Sequence, residues 1–153
     1  MTLSAQLNKH LPLELSAHTR YNGHAQLLKF KGYSKLAARY EEAAEEELGH
    51  ANKIIWRIRQ LDGQPDYLPT LVSSPVKTYD VPAMFEADLE VEQMVLESLT
   101  RLNIEAEGSE EDFETSEVLR ELIRATEEDI TWYSQQLDLI AEIGPANYLQ
   151  AQL

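Results

Sequence analysis

Apolar residues return at every third or fourth position along most of the chain, the spacing of helices with one buried face. Leu7, Leu11, Ala17, Tyr21, Ala25 and Leu28 mark a first helix from about Leu3 to Lys31. Pro12 lies inside it, removing one main-chain hydrogen bond and bending the first turns. Gly32-Tyr33-Ser34 interrupts the pattern, and Ser34 is expected to cap a second helix running to about Leu61. Its stripe is Leu36, Tyr40, Ala43, Ile54 and Leu61, and Asp62-Gly63-Gln64-Pro65 stops it. From Gly63 to Pro82 the helical period vanishes and Pro65, Pro69, Ser73, Ser74 and Pro75 predict an extended or irregular linker. A third helix is expected from about Ala83 to Glu107, with Phe85, Leu89, Val95, Leu99 and Leu102 inward. After the short break at 108–112, a fourth runs from about Glu111 to Ile143 on Leu119, Leu122, Thr126, Asp129, Tyr133, Leu137 and Ile140. Gly144-Pro145 ends it, and Ala146 to Leu153 are long enough for one or two more turns.

Connection lengths turn these helices into a topology. The first and second, and the third and fourth, are joined tightly and should pack antiparallel. About nineteen linker residues reach roughly 60 Å, against about 40 Å for a 27-residue helix, so the linker can cross the length of a bundle. The fold class expected is all-α: one domain over residues 1–153, a ferritin-like four-helix bundle with one long crossover and a short C-terminal fifth helix.

The stripes are not purely apolar. Glu14 falls between Leu11 and Ala17, Glu47 and His50 continue the second stripe three residues apart, Glu92 lies within the third, and Asp129 within the fourth. A carboxylate and an imidazole at i and i+3 share a helix face and form a ready pair of metal ligands. A buried acid without compensation costs several kcal/mol, so acids aimed at one core from every helix call for a shared cation. Carboxylate di-metal bundles use one Glu from each of two helices and Glu-x-x-His from each of the other two. Glu14, Glu47-x-x-His50 and Glu92 arrive in that order. Glu127 and Glu128 are rotated off the stripe and read as solvated surface, while His10, His18 and His24 read as hydrogen-bonded structural histidines.

Composition narrows the classes further. The 153 residues include no cysteine, which excludes a disulfide framework and any thiolate site, and the formal net charge is −14. That charge argues against nucleic-acid binding by phosphate neutralisation and suits either a well-solvated surface or attraction of cations. No stretch has the apolar length of a membrane span, and no leader pattern opens the chain, so a cytoplasmic protein is expected.

With these residues in place, the chain resembles the bacterioferritin family of cage-forming iron-storage proteins. The resemblance runs through Leu7-Asn8-Lys9, Glu14, Tyr21, Glu47-Leu48-Gly49-His50-Ala51 and Leu61-Asp62-Gly63-Gln64-Pro65. It continues through Asp88-Leu89-Glu90-Val91-Glu92, Ile130-Thr131-Trp132 and Leu137-Asp138-Leu139-Ile140 to Asn147-Tyr148-Leu149-Gln150-Ala151-Gln152, which is similar to the family's short fifth helix. It implies a metal site of Glu14, Glu47, His50, Glu92 and Asp129, one or two irons per subunit, and a closed homo-oligomer of 24 copies or a mixed shell with a sister subunit. Tyr21 matches a tyrosine beside the family's iron centre with an implied electron-donor role; a packed core tyrosine is the alternative.

Two positions depart from the family. Leu48 stands where the resemblance implies a haem-ligating methionine, and leucine offers no donor, so no haem is expected. Met84 and Met94 read as core filler. On the fourth helix the family's second Glu-x-x-His is replaced by Thr126-Glu127-Glu128-Asp129, which removes one bridging carboxylate and leaves Asp129 as a terminal ligand. Glu42 and Glu46 are expected to face away from the bundle core, lining a cage interior or simply meeting solvent.

The function expected is therefore a haem-free cage subunit that binds and stores iron, with oxidation of Fe(II) by oxygen or peroxide if two metals fit. The alternatives are a structural subunit that relies on an active sister, and a DNA-protecting mini-ferritin, the latter opposed by the acidity and the lack of a basic tail. No catalytic residue beyond the ligands is assigned.

Overall fold

The computed structural model describes residues 1–68, 80–109 and 112–153. They form α1 (Leu3–Lys31), α2 (Ser34–Gln60), α3 (Val81–Glu107), α4 (Phe113–Ile143) and α5 (Pro145–Gln150), with no strand among the described residues. The inner form of the expected linker, residues 69–79, and Glu111, the expected start of the fourth helix, lie outside the described residues.

α1 packs along α2 and α3 along α4, with lighter contacts from α1 to α3 and α2 to α4. The α1–α2 turn follows from Gly32, whose φ of 90° is the left-handed conformation that closes a helix at low cost for glycine; Tyr33 N–H then donates to Leu28 O at 3.0 Å. Ser34 is the first helical residue rather than the cap. Tyr33 takes the cap position and makes no side-chain cap bond, while its N–H serves the α1 terminus. α3 starts at Val81, earlier than expected, because Asp80 accepts from Ala83 N–H at 3.3 Å and Pro82 is tolerated in a first turn. Pro12 sits inside α1 without ending it.

Two polar side chains set the ends of the connections. Asn8 donates to Gln64 O at 2.7 Å and accepts from Asp66 N–H at 2.9 Å, tying the start of the crossover to α1. At the other end, Gly144 (φ 83°) turns the chain into α5, whose buried Tyr148 meets Phe85 edge-on at 6.0 Å and donates to Gln136 at 2.7 Å.

The core holds the expected stripes: Leu7, Leu11, Ala17, Tyr21, Ala25 and Leu28 of α1, Leu36, Tyr40 and Ile54 of α2, Phe85, Val95 and Leu99 of α3, and Leu119 and Leu122 of α4 are buried. Leu89 is only half-buried; its neighbour Asp88 is completely enclosed instead, because Asp88 and not Leu89 lies one turn below Glu92. Met84 fills the core as expected, but Met94 is 44% exposed and fills nothing. No helix is long and apolar enough to cross a membrane among the described residues.

Candidate metal centre

The bundle brings all five sequence-predicted ligands together at mid-height. Glu14, Glu47, Glu92 and Asp129 are almost fully enclosed and His50 is 7% exposed. Ligand atoms of Glu14, Glu47 and His50 lie within 4.8 Å of one another, and so do those of Glu47, Glu92 and Asp129. Glu47 belongs to both groups, so the site consists of two half-sites hinged on one carboxylate.

The hydrogen bonding of these groups is incomplete in a specific way. One oxygen of Glu14 is held by His10 Nε2 at 2.8 Å, and one oxygen of Glu92 accepts from Tyr21 Oη at 2.6 Å. Glu14 Oε2, both oxygens of Glu47, Glu92 Oε2 and His50 Nδ1 have no hydrogen-bond partner. Buried polar atoms are nearly always satisfied, so five orphaned ligand atoms facing one another fit a bound cation. His50 Nδ1 is 3.4 Å from Glu47 and 3.8 Å from Glu14, while Nε2 faces Glu46 at 3.8 Å. A carboxylate behind a ligating imidazole is a common orienting arrangement. Glu46 is thus half-buried at the site, not turned away from the core as expected, since i+4 spacing aligns it with His50.

The electrostatics are those of acids crowded without a counter-charge. Burial would raise the Glu14 carboxyl, but the close approach of Glu47, the bond to His10 and the nearby His50 outweigh it and hold Glu14 well below the ordinary range. Burial, then the neighbouring Glu14, pushes Glu47 well above it. Burial and the charge of Asp129 likewise raise Glu92, against the opposing Tyr21 bond. Asp129 is pushed up to about 7 by burial and by Glu46, with Arg39 opposing. His50 is raised: burial works against its charge, and the nearby Glu14 carboxylate prevails. Metal binding would therefore release protons from this cluster.

Thr126 is fully buried and its hydroxyl donates to Leu122 O of its own helix at 2.8 Å. Arg39 comes within 3.4 Å of Asp129 and stacks over Trp132 at 4.7 Å. Glu127 and Glu128 are exposed, as expected.

Residues that support the site were less visible in the sequence. Asp88 accepts from Arg20 Nε and Tyr40 Oη, both at 2.6 Å, and meets His24 Nδ1 at 2.8 Å. His10 bridges Glu14 and Ser98, each at 2.8 Å. Both follow a signal that was available: Asp88 and His10 lie four residues before Glu92 and Glu14 on the same faces. His18 Nδ1 contacts Ala44 O at 2.7 Å, so His10, His18 and His24 are hydrogen-bonded as expected.

A helical bundle with inward-facing carboxylates on four helices and one imidazole among them defines the class of carboxylate metal-binding bundles. The sequence matches the ferritin family, described as a ferritin-like domain, over residues 4–143. It is 38% identical over 148 residues to a bacterial ferritin of Pseudomonas aeruginosa, covering 96% of this chain and 94% of that one. A bacterial ferritin of Synechocystis sp. is 34% identical over 97% of this chain and 94% of its own length. A bacterioferritin of Streptomyces coelicolor is 34% identical over 94% and 84%. The chain belongs to the ferritin family, among relatives named bacterial ferritin and bacterioferritin, and iron storage is the family's class of function.

Proposed function

We propose that the chain is a haem-free cage subunit, working in the cytoplasm as a single domain, which takes Fe(II) into the bundle at Glu14, Glu47, His50, Glu92 and Asp129 before storage. The observation that carries this reading is Glu47, enclosed between two ligand groups with both oxygens unpartnered. Glu14, Glu47 and His50 would hold the first iron through an oxygen, the shared carboxylate and Nδ1. Glu47, Glu92 and Asp129 would hold the second more weakly, because Thr126 supplies only a neutral hydroxyl already bonded to its own helix. Each Fe(II) gives up one electron and becomes Fe(III), and the two electrons, with two protons from solvent, reduce dioxygen to hydrogen peroxide or hydrogen peroxide to two waters. Glu14 and Glu47 accept the added positive charge, and Tyr21 holds the outer oxygen of Glu92.

A second reading has a specific observation behind it. The Arg39 cation beside Asp129 and the occupied hydroxyl of Thr126 suit a shell subunit whose second half-site no longer fills and which depends on a more complete sister chain. DNA protection finds no support in a formal charge of −14.

Anaerobic equilibration with Fe(II), desalting and iron counting tests the main reading: at least one iron per chain should remain, and Glu47→Gln should retain none. Light scattering should give a closed assembly of about 24 copies; a stable mass of one or two subunits would contradict the cage. Leu48 is 39% exposed on α2, where the resemblance implies a haem ligand from each of two subunits. Added haem should give no two-thioether spectrum, and Leu48→Met should gain one.

A further inference from the structure

The two half-sites differ in donor chemistry as well as completeness. Only the first contains nitrogen, from His50, whose Nδ1 is free of any hydrogen bond. The second is all oxygen: Glu47 from α2, Glu92 from α3 and Asp129 from α4. No other imidazole is available to complete it. The chain has four histidines, and His10 has both ring nitrogens engaged, by Glu14 and Ser98; His24 faces Asp88, and His18 faces the Ala44 carbonyl. Thr126, buried on α4 three residues before Asp129, could add only another oxygen.

Divalent affinity climbs from Mn²⁺ toward Cu²⁺ at nitrogen and oxygen sites alike, but imidazole suits Zn²⁺, Cu²⁺ and Ni²⁺ while carboxylate and carbonyl oxygens suit Mg²⁺, Ca²⁺ and Mn²⁺, so the margin of zinc over manganese is smaller at an all-oxygen site. We propose that the two halves sort divalent cations: the Glu14–Glu47–His50 half takes imidazole-preferring ions such as Zn²⁺, and the Glu47–Glu92–Asp129 half takes oxygen-preferring ions such as Mn²⁺. Asp129 is then the specificity-determining residue, since a histidine there would make the two halves alike. Fe(II) lies between the extremes and enters both. This inference rests on the reading that the bundle binds metal.

Arg39 sharpens the contrast. Its guanidinium, 3.4 Å from Asp129, offsets part of the negative charge at the all-oxygen half and leaves the imidazole half untouched. A cation there must compete with an arginine for one aspartate, so binding depends on charge and fit to oxygen rather than on a strong directional bond.

The test is diffraction from crystals of the assembled protein equilibrated with one equivalent of Zn²⁺ per chain and an excess of Mn²⁺, with anomalous data at both metal edges. Zinc is expected between Glu14 and His50 and manganese between Glu92 and Asp129, with the Zn-to-Mn occupancy ratio differing at least about tenfold between the halves. Asp129→His should bring zinc into the second half, and Asp129→Asn should empty manganese from it while leaving zinc at His50. In solution, one equivalent of Zn²⁺ should leave the Mn²⁺ electron paramagnetic resonance signal of the bound ion in place in the natural chain and remove it in Asp129→His. Both metals bound but spread equally over both halves would overturn the sorting alone. No metal beside Glu47 in any crystal would overturn both the sorting and the metal-binding reading beneath it.

Discussion

The half-site on α1 and α2 and the half-site on α3 and α4 are built from the same shared carboxylate, yet they are supported unequally. Around Glu14 and His50 the contacts favour ligation: His10 holds one carboxylate oxygen and leaves the other free, and Glu46 stands behind the imidazole. Around Glu92 and Asp129 the supports are divided. Tyr21 orients Glu92, but Arg39 draws on Asp129, and Thr126 turns its hydroxyl back to the helix. Burial is almost equal on the two sides. The lesson is that enclosure concentrates charge, while the donor set and its hydrogen-bonded supports decide what that charge can hold.

Breaking the stronger side should have the largest effect. His50→Ala removes the sole nitrogen donor and should lower the affinity for the first iron at least about 100-fold, abolishing oxidation, with helicity by circular dichroism unchanged. Equal loss in Asp129→Ala would show that the halves are equivalent. Rebuilding the weaker side comes next: Thr126→Glu together with Asp129→His restores a second bridge and a second imidazole, and stopped-flow absorbance should show an initial oxidation rate about tenfold higher. A third, smaller effect isolates the support of Glu14. His10→Leu should weaken the first site by about tenfold, with partial recovery in His10→Gln, which keeps a donor.

The backbone scheme was legible because each long helix carries a sustained apolar stripe and each break carries glycine or proline, so α1 to α4 were expected within two residues of where they lie. The five candidate ligands come together for a related reason: four acids lie on apolar stripes, and His50 shares the face of Glu47. What stayed hidden depends on distances between helices. The pairing of Asp88 with Arg20, His24 and Tyr40 joins residues far apart in sequence, and the approach of Arg39 to Asp129 crosses from α2 to α4. Periodicity reports a face and says nothing about its partner. Met94 and Leu89 show the same limit within one helix: α3 is rotated so that Asp88, Glu92 and Val95 face inward, leaving Leu89 at the margin and Met94 in solvent.

The smallest effect is on pH dependence. Glu47, Glu92 and Asp129 are raised in the fold, Asp129 to about 7, and His50 is raised as well. Each such group contributes stability below its unfolded value and loses it as pH rises through the folded one. The metal-free protein should therefore lose thermal stability between about pH 5 and 8. Glu14, depressed, acts in the opposite sense only in acid, where its contribution is lost as pH falls. Metal replaces the released protons, so the gain in Tm on adding Co²⁺ should grow across the same interval; a gain that shrinks with rising pH would contradict the shared-carboxylate account.

The most direct measurement is anomalous scattering at the iron edge from crystals soaked anaerobically in Fe(II) at two concentrations. At the lower one, a single peak should lie between Glu14, Glu47 and His50; at the higher, a second, less occupied peak should appear between Glu47, Glu92 and Asp129. Two peaks of equal occupancy at both concentrations, or iron bound away from Glu47, would contradict the claim of two unequal halves joined by one carboxylate.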